Sequence, residues 1–140
     1  MMDKIIRTGL IGIAFLFFSC NMNEEEVTTL NIGKVTEIKL DETVENSQIG
    51  LSLRIEYFND SRCPTGVICC TCGVATVKFH LTTKKGEYDF TLSKFGLENG
   101  PSCEGVVIEG IKYYLVDVLP YPVVEEEQHE KTVIILVEEI

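Results

Sequence analysis

Residues 49–57 read Ile49-Gly50-Leu51-Ser52-Leu53-Arg54-Ile55-Glu56-Tyr57. Apolar side chains fill every odd position, and small or charged ones fill every even position. Successive side chains of an extended chain leave opposite faces, so this pattern describes a strand with one dry face and one wet face. The odd set, Tyr57 included, is expected to point inward. Working outward, the same period recurs. Ala75, Val77, Phe79 and Leu81 alternate with Thr76, Lys78, His80 and Thr82, and Tyr88, Phe90 and Leu92 alternate with Asp89 and Thr91. Val133, Ile135 and Val137 share a face, and their neighbours Ile134 and Leu136 are apolar too, as in a strand covered on both sides. Residues 27–32 and 35–40 read as weaker strands. Residues 108–119 read as one long strand or a bent one. Turn residues fall between these runs: Lys84-Lys85-Gly86 closes a hairpin, Asn99-Gly100-Pro101 breaks the chain, and Pro120-Tyr121-Pro122 ends a strand because proline has no ladder donor. No helical stripe appears after Phe18. About seven short strands at this spacing predict an all-β, antiparallel two-sheet sandwich of the immunoglobulin-like type. A small β-barrel is the alternative.

The first nineteen residues stand apart. Lys4 and Arg7 precede an apolar run, GLIGIAFLFF, that covers residues 9–18. A bilayer-spanning helix needs roughly 20 apolar residues, so this run is too short. Charge, a short apolar stretch and then the small residue Ser19 describe a secretory signal peptide. Cys20 follows at once. LFFSC resembles the lipobox of bacterial lipoproteins, in the looser form found in the Bacteroidetes, with Phe17 where leucine is usual. The resemblance implies cleavage after Ser19 and acylation of Cys20. The next residues, NMNEEE, form a solvated acidic linker. They also resemble the Bacteroidetes signal for export to the cell surface, with a periplasm-facing anchor as the alternative. The expected organisation is a signal peptide at 1–19, lipidated cysteine and linker at 20–26, and one sandwich domain at 27–140. The whole chain carries a formal net charge of -10. Cleavage makes the mature chain more acidic, because Lys4 and Arg7 leave with Asp3. That excludes a basic nucleic-acid face and electrostatic docking on anionic lipid. The membrane link is then the acyl chains, at roughly 0.8 kcal/mol per buried methylene.

Four of the six cysteines crowd into DSRCPTGVICCTCGVA, residues 60–75. Thiolate zinc sites supply pairs of cysteines two to four residues apart. The gaps here are five residues, none and one. No C-x-x-C is present for thioredoxin-like chemistry. A cysteine nucleophile would need His80 or His129 as base, and nothing places either near a thiol. Exported chains meet an oxidising compartment, so disulfides are the default. Proline and glycine inside Cys63–Cys69 make a closed loop geometrically sound, with a stabilisation of about 2 kcal/mol for so short a ring.

This segment resembles one common in small Bacteroidetes lipoproteins of uncharacterised function, D-S-R-C-P-x-G-V-x-C-x-W-A-G-x-A. Asp60, Ser61, Arg62, Cys63, Pro64, Gly66, Val67, Cys69, Gly73 and Ala75 match it, and YYLVDVLPYP at 113–122 resembles the same group. The resemblance implies a β-sandwich lipoprotein with a Cys63–Cys69 bridge and no known activity. Thr71 and Cys72 stand where that pattern has tryptophan and alanine. Cys70 and Cys103 are further departures. The added cysteines suggest a second bridge from Cys103 to Cys72 or Cys70, with Cys72–Cys103 expected and Cys70 left as a free thiol. The pair Asp60 and Arg62 reads first as a tie between loop and sheet. With Thr65, it is also a candidate binding loop.

No catalytic constellation, phosphate loop or metal spacing appears, and no cofactor is expected. The leading expectation is a non-enzymatic, lipid-anchored sandwich that binds a protein or glycan partner through its loops. The motif loop and the acidic stretch 125–130 are the candidates. Tyr113, Tyr114 and Tyr121 are the aromatic residues available to a sugar, the chain having no tryptophan. The alternatives are a structural subunit of an outer-membrane complex, a thiol-dependent metal-binding protein and, last, an enzyme.

Overall fold

The computed structural model describes residues 27–96, 104–124 and 130–140. Their strands are β1 (Thr28–Thr29), β2 (Val35–Lys39), β3 (Thr43–Asn46), β4 (Leu51–Asp60), β5 (Val74–Thr82), β6 (Glu87–Phe95), β7 (Val106–Ile108), β8 (Ile111–Leu119) and β9 (Thr132–Glu139). No helix occurs among the described residues. One sheet has the order β1-β3-β4-β5-β6 and the other β2-β9-β8-β7. All pairings are antiparallel except β1 with β3. The two sheets form the expected sandwich and do not close into a barrel. Its likeness to the immunoglobulin type is one of architecture: each sheet is built around a meander, β3 to β6 and β7 to β9, rather than around strands that alternate between sheets. The signal-peptide segment, Cys20, the acidic linker, Asn99-Gly100-Pro101, Cys103 and His129 lie outside the described residues.

The core follows from the alternation. Leu51, Leu53, Ala75, Val77, Phe79, Leu81, Phe90 and Leu92 are buried from one sheet. Tyr113, Leu115, Val118, Val133, Ile135 and Val137 meet them from the other. Phe79 and Phe90 are cross-strand partners with ring centroids 5.3 Å apart, and Phe90 reaches Tyr113 across the sandwich at 5.1 Å. Such ring pairs contribute beyond their buried area. Burial pushes the Tyr113 phenol well above its ordinary pKa. At one end, the sheets are tied at the surface. Glu109 accepts hydrogen bonds from Tyr88 at 2.7 Å and Thr83 at 2.9 Å. Both bonds favour the charged carboxylate. The Tyr88 bond leads in holding Glu109 below the usual carboxylate range.

Three departures from the periodic reading have physical causes. Residues 108–119 are not one strand. Glu109 and Gly110 have φ of 53° and 77°, and Ile108 pairs with Ile111, so a two-residue turn makes a β7–β8 hairpin. The short β3 was hidden by its polar residues. Tyr57 points outward, 57% exposed, not inward. Ile55 pairs with Phe79 and Tyr57 with Lys78, which leaves Glu56 as the extra residue of a β-bulge. The bulge turns both Glu56 and Tyr57 outward and brings Phe58 against the core. A second bulge lies in β8, where Leu115 pairs with Ile135 and Asp117 with Ile134, leaving Val116 unpaired.

Because the bulge absorbs one residue, deletion of Glu56 would close the ladder without moving Phe58 from the inner face. That deletion should fold with a loss of about 1 kcal/mol. Deletion of Arg54 should prevent folding, because it sends Leu51 and Leu53 to the wet face or breaks the turn before them. Urea denaturation of the two variants checks this. Equal losses would contradict the register.

Candidate functional site

At the other end, the sandwich interior is polar. The inward row across β4, β5 and β6 is Asp60, Ala75 and Lys94, which are register partners. Ala75 is small and leaves room above it. Arg62, just past β4, turns into this space, and its side chain is 1% exposed. Its guanidinium donates to Asp60 through Nε and one terminal nitrogen, each at 2.8 Å. It also donates to Asp117 at 3.2 Å and to the Val118 carbonyl at 2.7 Å. The Tyr121 ring covers it at 4.6 Å. Burial alone would lower the arginine pKa. The Asp60 hydrogen bonds and the charges of Asp60 and Asp117 outweigh that and raise it. Arg62 therefore keeps its charge in the interior.

The β8 bulge is the receiving side. A bulge leaves backbone groups without ladder partners. Here the buried Lys94 ammonium donates to the Val116 carbonyl, Arg62 to that of Val118, and the Val118 N–H donates to Asp117 at 2.8 Å. Two cations are thus held at this end, with Asp60 buried beside Arg62 and Asp117 reaching it from the partly exposed edge of the bulge. No buried side-chain nitrogen or oxygen among the described residues lacks a partner.

This cluster seats the cysteine loop. Gly73 has φ of 67°, and a Cβ there would lie 1.9 Å from the Ser61 carbonyl oxygen, so only glycine allows the approach. The Cys63 N–H donates to the Cys72 carbonyl at 3.1 Å, and the Thr65 N–H donates to the Pro122 carbonyl at 3.0 Å. Tyr121 donates to the Gly96 carbonyl at 3.3 Å. The Leu119–Pro120 peptide leading into this segment is cis. Cys63 and Cys69 are disulfide-bonded, with α-carbons 6.0 Å apart. The loop and Tyr121 line an open concavity of about 390 Å³. Val67 belongs to that lining, and beyond it Ile68 projects, 101% exposed. Val123, bridged to Thr65, and Val124 are exposed beside the loop.

The structure thus divides the candidate binding loop. Asp60 and Arg62 are buried in each other, and neither is open to a ligand. Thr65 is exposed at its rim. Cys70 is a free, exposed thiol. The expected bridge to Cys103 falls outside the described residues, and Cys72 is itself free and exposed. Its carbonyl is engaged by Cys63, and Cys103 lies outside the described residues, as does most of the acidic stretch 125–130. Tyr113 is buried, Tyr114 lies under the Lys112 ammonium at 4.7 Å, and Tyr121 covers Arg62 while lining the concavity.

One further cluster lies on the outer face of the five-stranded sheet. The Glu56 bulge brings its carboxylate near His80 and Asp89, with one ligand atom of each within 4.8 Å of the others. The periodic reading could not find it, because the bulge that aims Glu56 has no signature in the alternation. His80 Nδ1 meets Asp89 at 2.7 Å, and that bond leads in lowering the Asp89 pKa. Lys78 Nζ lies 3.1 Å from Glu56 and 3.8 Å from Asp89. Hydrogen bonding to Glu56 leads in raising the Lys78 pKa. These groups can supply a cation's ligands, but the ammonium already occupies their negative field. The arrangement reads as a surface ion-pair network.

No family model matches the sequence, and no significant match to a curated protein or a solved structure is found. The functional reading therefore rests on the site itself.

Removing one partner of a buried ion pair leaves the other charge uncompensated, at a cost of about 3–5 kcal/mol. Arg62→Met should show that loss in chemical denaturation. Arg62→Lys keeps the charge but loses the planar fork and the ring contact, and should cost about 1.5–3 kcal/mol. A loss under about 1 kcal/mol in Arg62→Met would contradict the buried cluster.

Proposed function

We propose that this chain is a non-enzymatic, lipid-anchored, surface-exposed β-sandwich lipoprotein that binds a protein partner through the tip of its disulfide-closed loop. The observation that carries this reading is Ile68. A β-branched apolar side chain stands fully in solvent at the end of a loop whose base is fixed by Arg62, the Cys63–Cys69 bridge and the Thr65–Pro122 hydrogen bond. A pre-ordered loop loses little conformational freedom on association. An apolar anchor on such a loop can fill a desolvated pocket on a partner, which is where hot-spot residues act. A glycan partner is less well served, because Tyr113 is buried and the rings of Tyr114 and Tyr121 each pack against a cation. Acylated Cys20, followed by an acidic tether, would hold the tip clear of the membrane.

A photo-crosslinking residue at position 67 of the full-length chain, in the cells that export it, tests this. It should capture a defined protein species. Ile68→Asp in the same chain should lower the yield at least tenfold, since a hot-spot residue contributes about 2 kcal/mol or more. The same residue at Thr91, on the outer face of β6, should not capture that species. Capture that is indifferent to Ile68→Asp, or equal from Thr91, would overturn the reading.

A further inference from the structure

Backbone hydrogen bonds continue between the two chain segments past the ends of β4 and β5. Asp60 pairs with Ala75. The Ser61 N–H donates to the Val74 carbonyl at 2.9 Å, and the Cys63 N–H to the Cys72 carbonyl at 3.1 Å. The Cys63 N–H contact holds the Cys72 backbone beside that of Cys63, across the left-handed Gly73. A disulfide spans α-carbons about 4.4–6.8 Å apart, and residues joined by a backbone hydrogen bond lie at about that separation. Cys63 is bonded instead to Cys69, six residues away, and the Cys72 thiol is free and exposed. Cys63, Cys69, Cys70 and Cys72 all line the same concavity.

We propose that the loop is a thiol–disulfide exchange centre in which Cys63 has two alternative partners, Cys69 and Cys72. Cys72 loses its proton to solvent, and its thiolate attacks Sγ of Cys63. The Cys63–Cys72 bond forms as the Cys63–Cys69 bond breaks. Cys69 leaves as a thiolate and takes a proton from solvent. One disulfide and two thiols exist before and after, so no oxidant or reductant is needed. The exchange frees Cys69 beside Cys70 and lengthens the tether of the Val67–Ile68 tip. It stands on the cysteine geometry alone, whether or not the tip binds a partner.

The test uses the full-length chain in detergent, without oxygen, added thiol or added oxidant, incubated between pH 6 and pH 9 and quenched with acid. Free thiols take a light alkylating label under denaturing conditions, and bridged ones take a heavy label after reduction. Trypsin releases residues 63–78 as one peptide with four cysteines, and tandem mass spectrometry assigns each label. The observed pairing gives heavy Cys63 and Cys69. The proposal predicts a second population, heavy at Cys63 and Cys72 and light at Cys69. Its rate of appearance should rise about tenfold per pH unit on the acid side, as the thiolate fraction does. Cys72→Ser should abolish that population. Cys69→Ser, first oxidised in air so that oxygen takes the two electrons, should carry the Cys63–Cys72 bridge, with Cys70 light. Exclusive Cys63–Cys69 pairing at every pH would overturn the proposal. A Cys63–Cys70 bridge in Cys69→Ser, or heavy label on Cys72 together with Cys103, would also overturn it.

Discussion

A guanidinium that cannot give up its proton sits between the two sheets, and the polar end of the sandwich is arranged around it. Arginine remains charged in any protein interior, so its burial requires fixed negative partners and acceptors. Asp60 supplies a two-point contact, Asp117 a second carboxylate, and the bulged β8 a free carbonyl. Those contacts fix where the chain goes next on both sides. After Arg62 it must enter the cysteine loop, and after Val118 it must pass over the guanidinium as Tyr121. The loop and the 120–123 segment are therefore neighbours through one shared ion.

The two bulges give the sandwich its chemistry. A regular β4 would end with Tyr57 in the core, and a regular β8 with Asp117 there. Each extra residue shifts the inner face by one. Glu56 thereby exchanges Tyr57 for Phe58 as the inward residue, and Val116 exchanges Asp117 for Val118. The first bulge also creates the outer-face network of Glu56, His80 and Asp89. The second opens the carbonyls that Lys94 and Arg62 use. Bulges at such places re-aim side chains and are features of the fold rather than defects in it.

Most of the sandwich was legible in the sequence, because β4 to Ile55, β5, β6 and β9 repeat every second residue. What stayed hidden has specific causes. Position 56 has no local mark of a bulge, so Tyr57 was read on the wrong face. β3, with only Val44 apolar in its centre, carries no alternation. The Glu109-Gly110 turn lacks the asparagine or aspartate that usually signals it. At the site, DSRCP announced a tie between Asp60 and Arg62 and a closed loop. The second carboxylate, Asp117, is 55 residues from Arg62, and nothing local could join them. The nearness of Cys72 to Cys63 rests on one backbone hydrogen bond beyond the strands, which requires the path of the loop to be known. Function was the least legible, since an exposed apolar tip is visible only once the loop around it is built.

The buried ion cluster makes the cysteine loop and the 120–123 segment part of the cooperative core, not a separately opening flap. Native-state hydrogen exchange tests this most directly. The Cys63 and Thr65 amides, which donate to Cys72 and Pro122, should exchange with an opening free energy within about 1 kcal/mol of the central β5 amides. That result would mean the loop is released only when the sheets part. Exchange of Cys63 and Thr65 at a cost several kcal/mol lower, with β5 still protected, would contradict the account and leave Arg62 as a local contact at one edge.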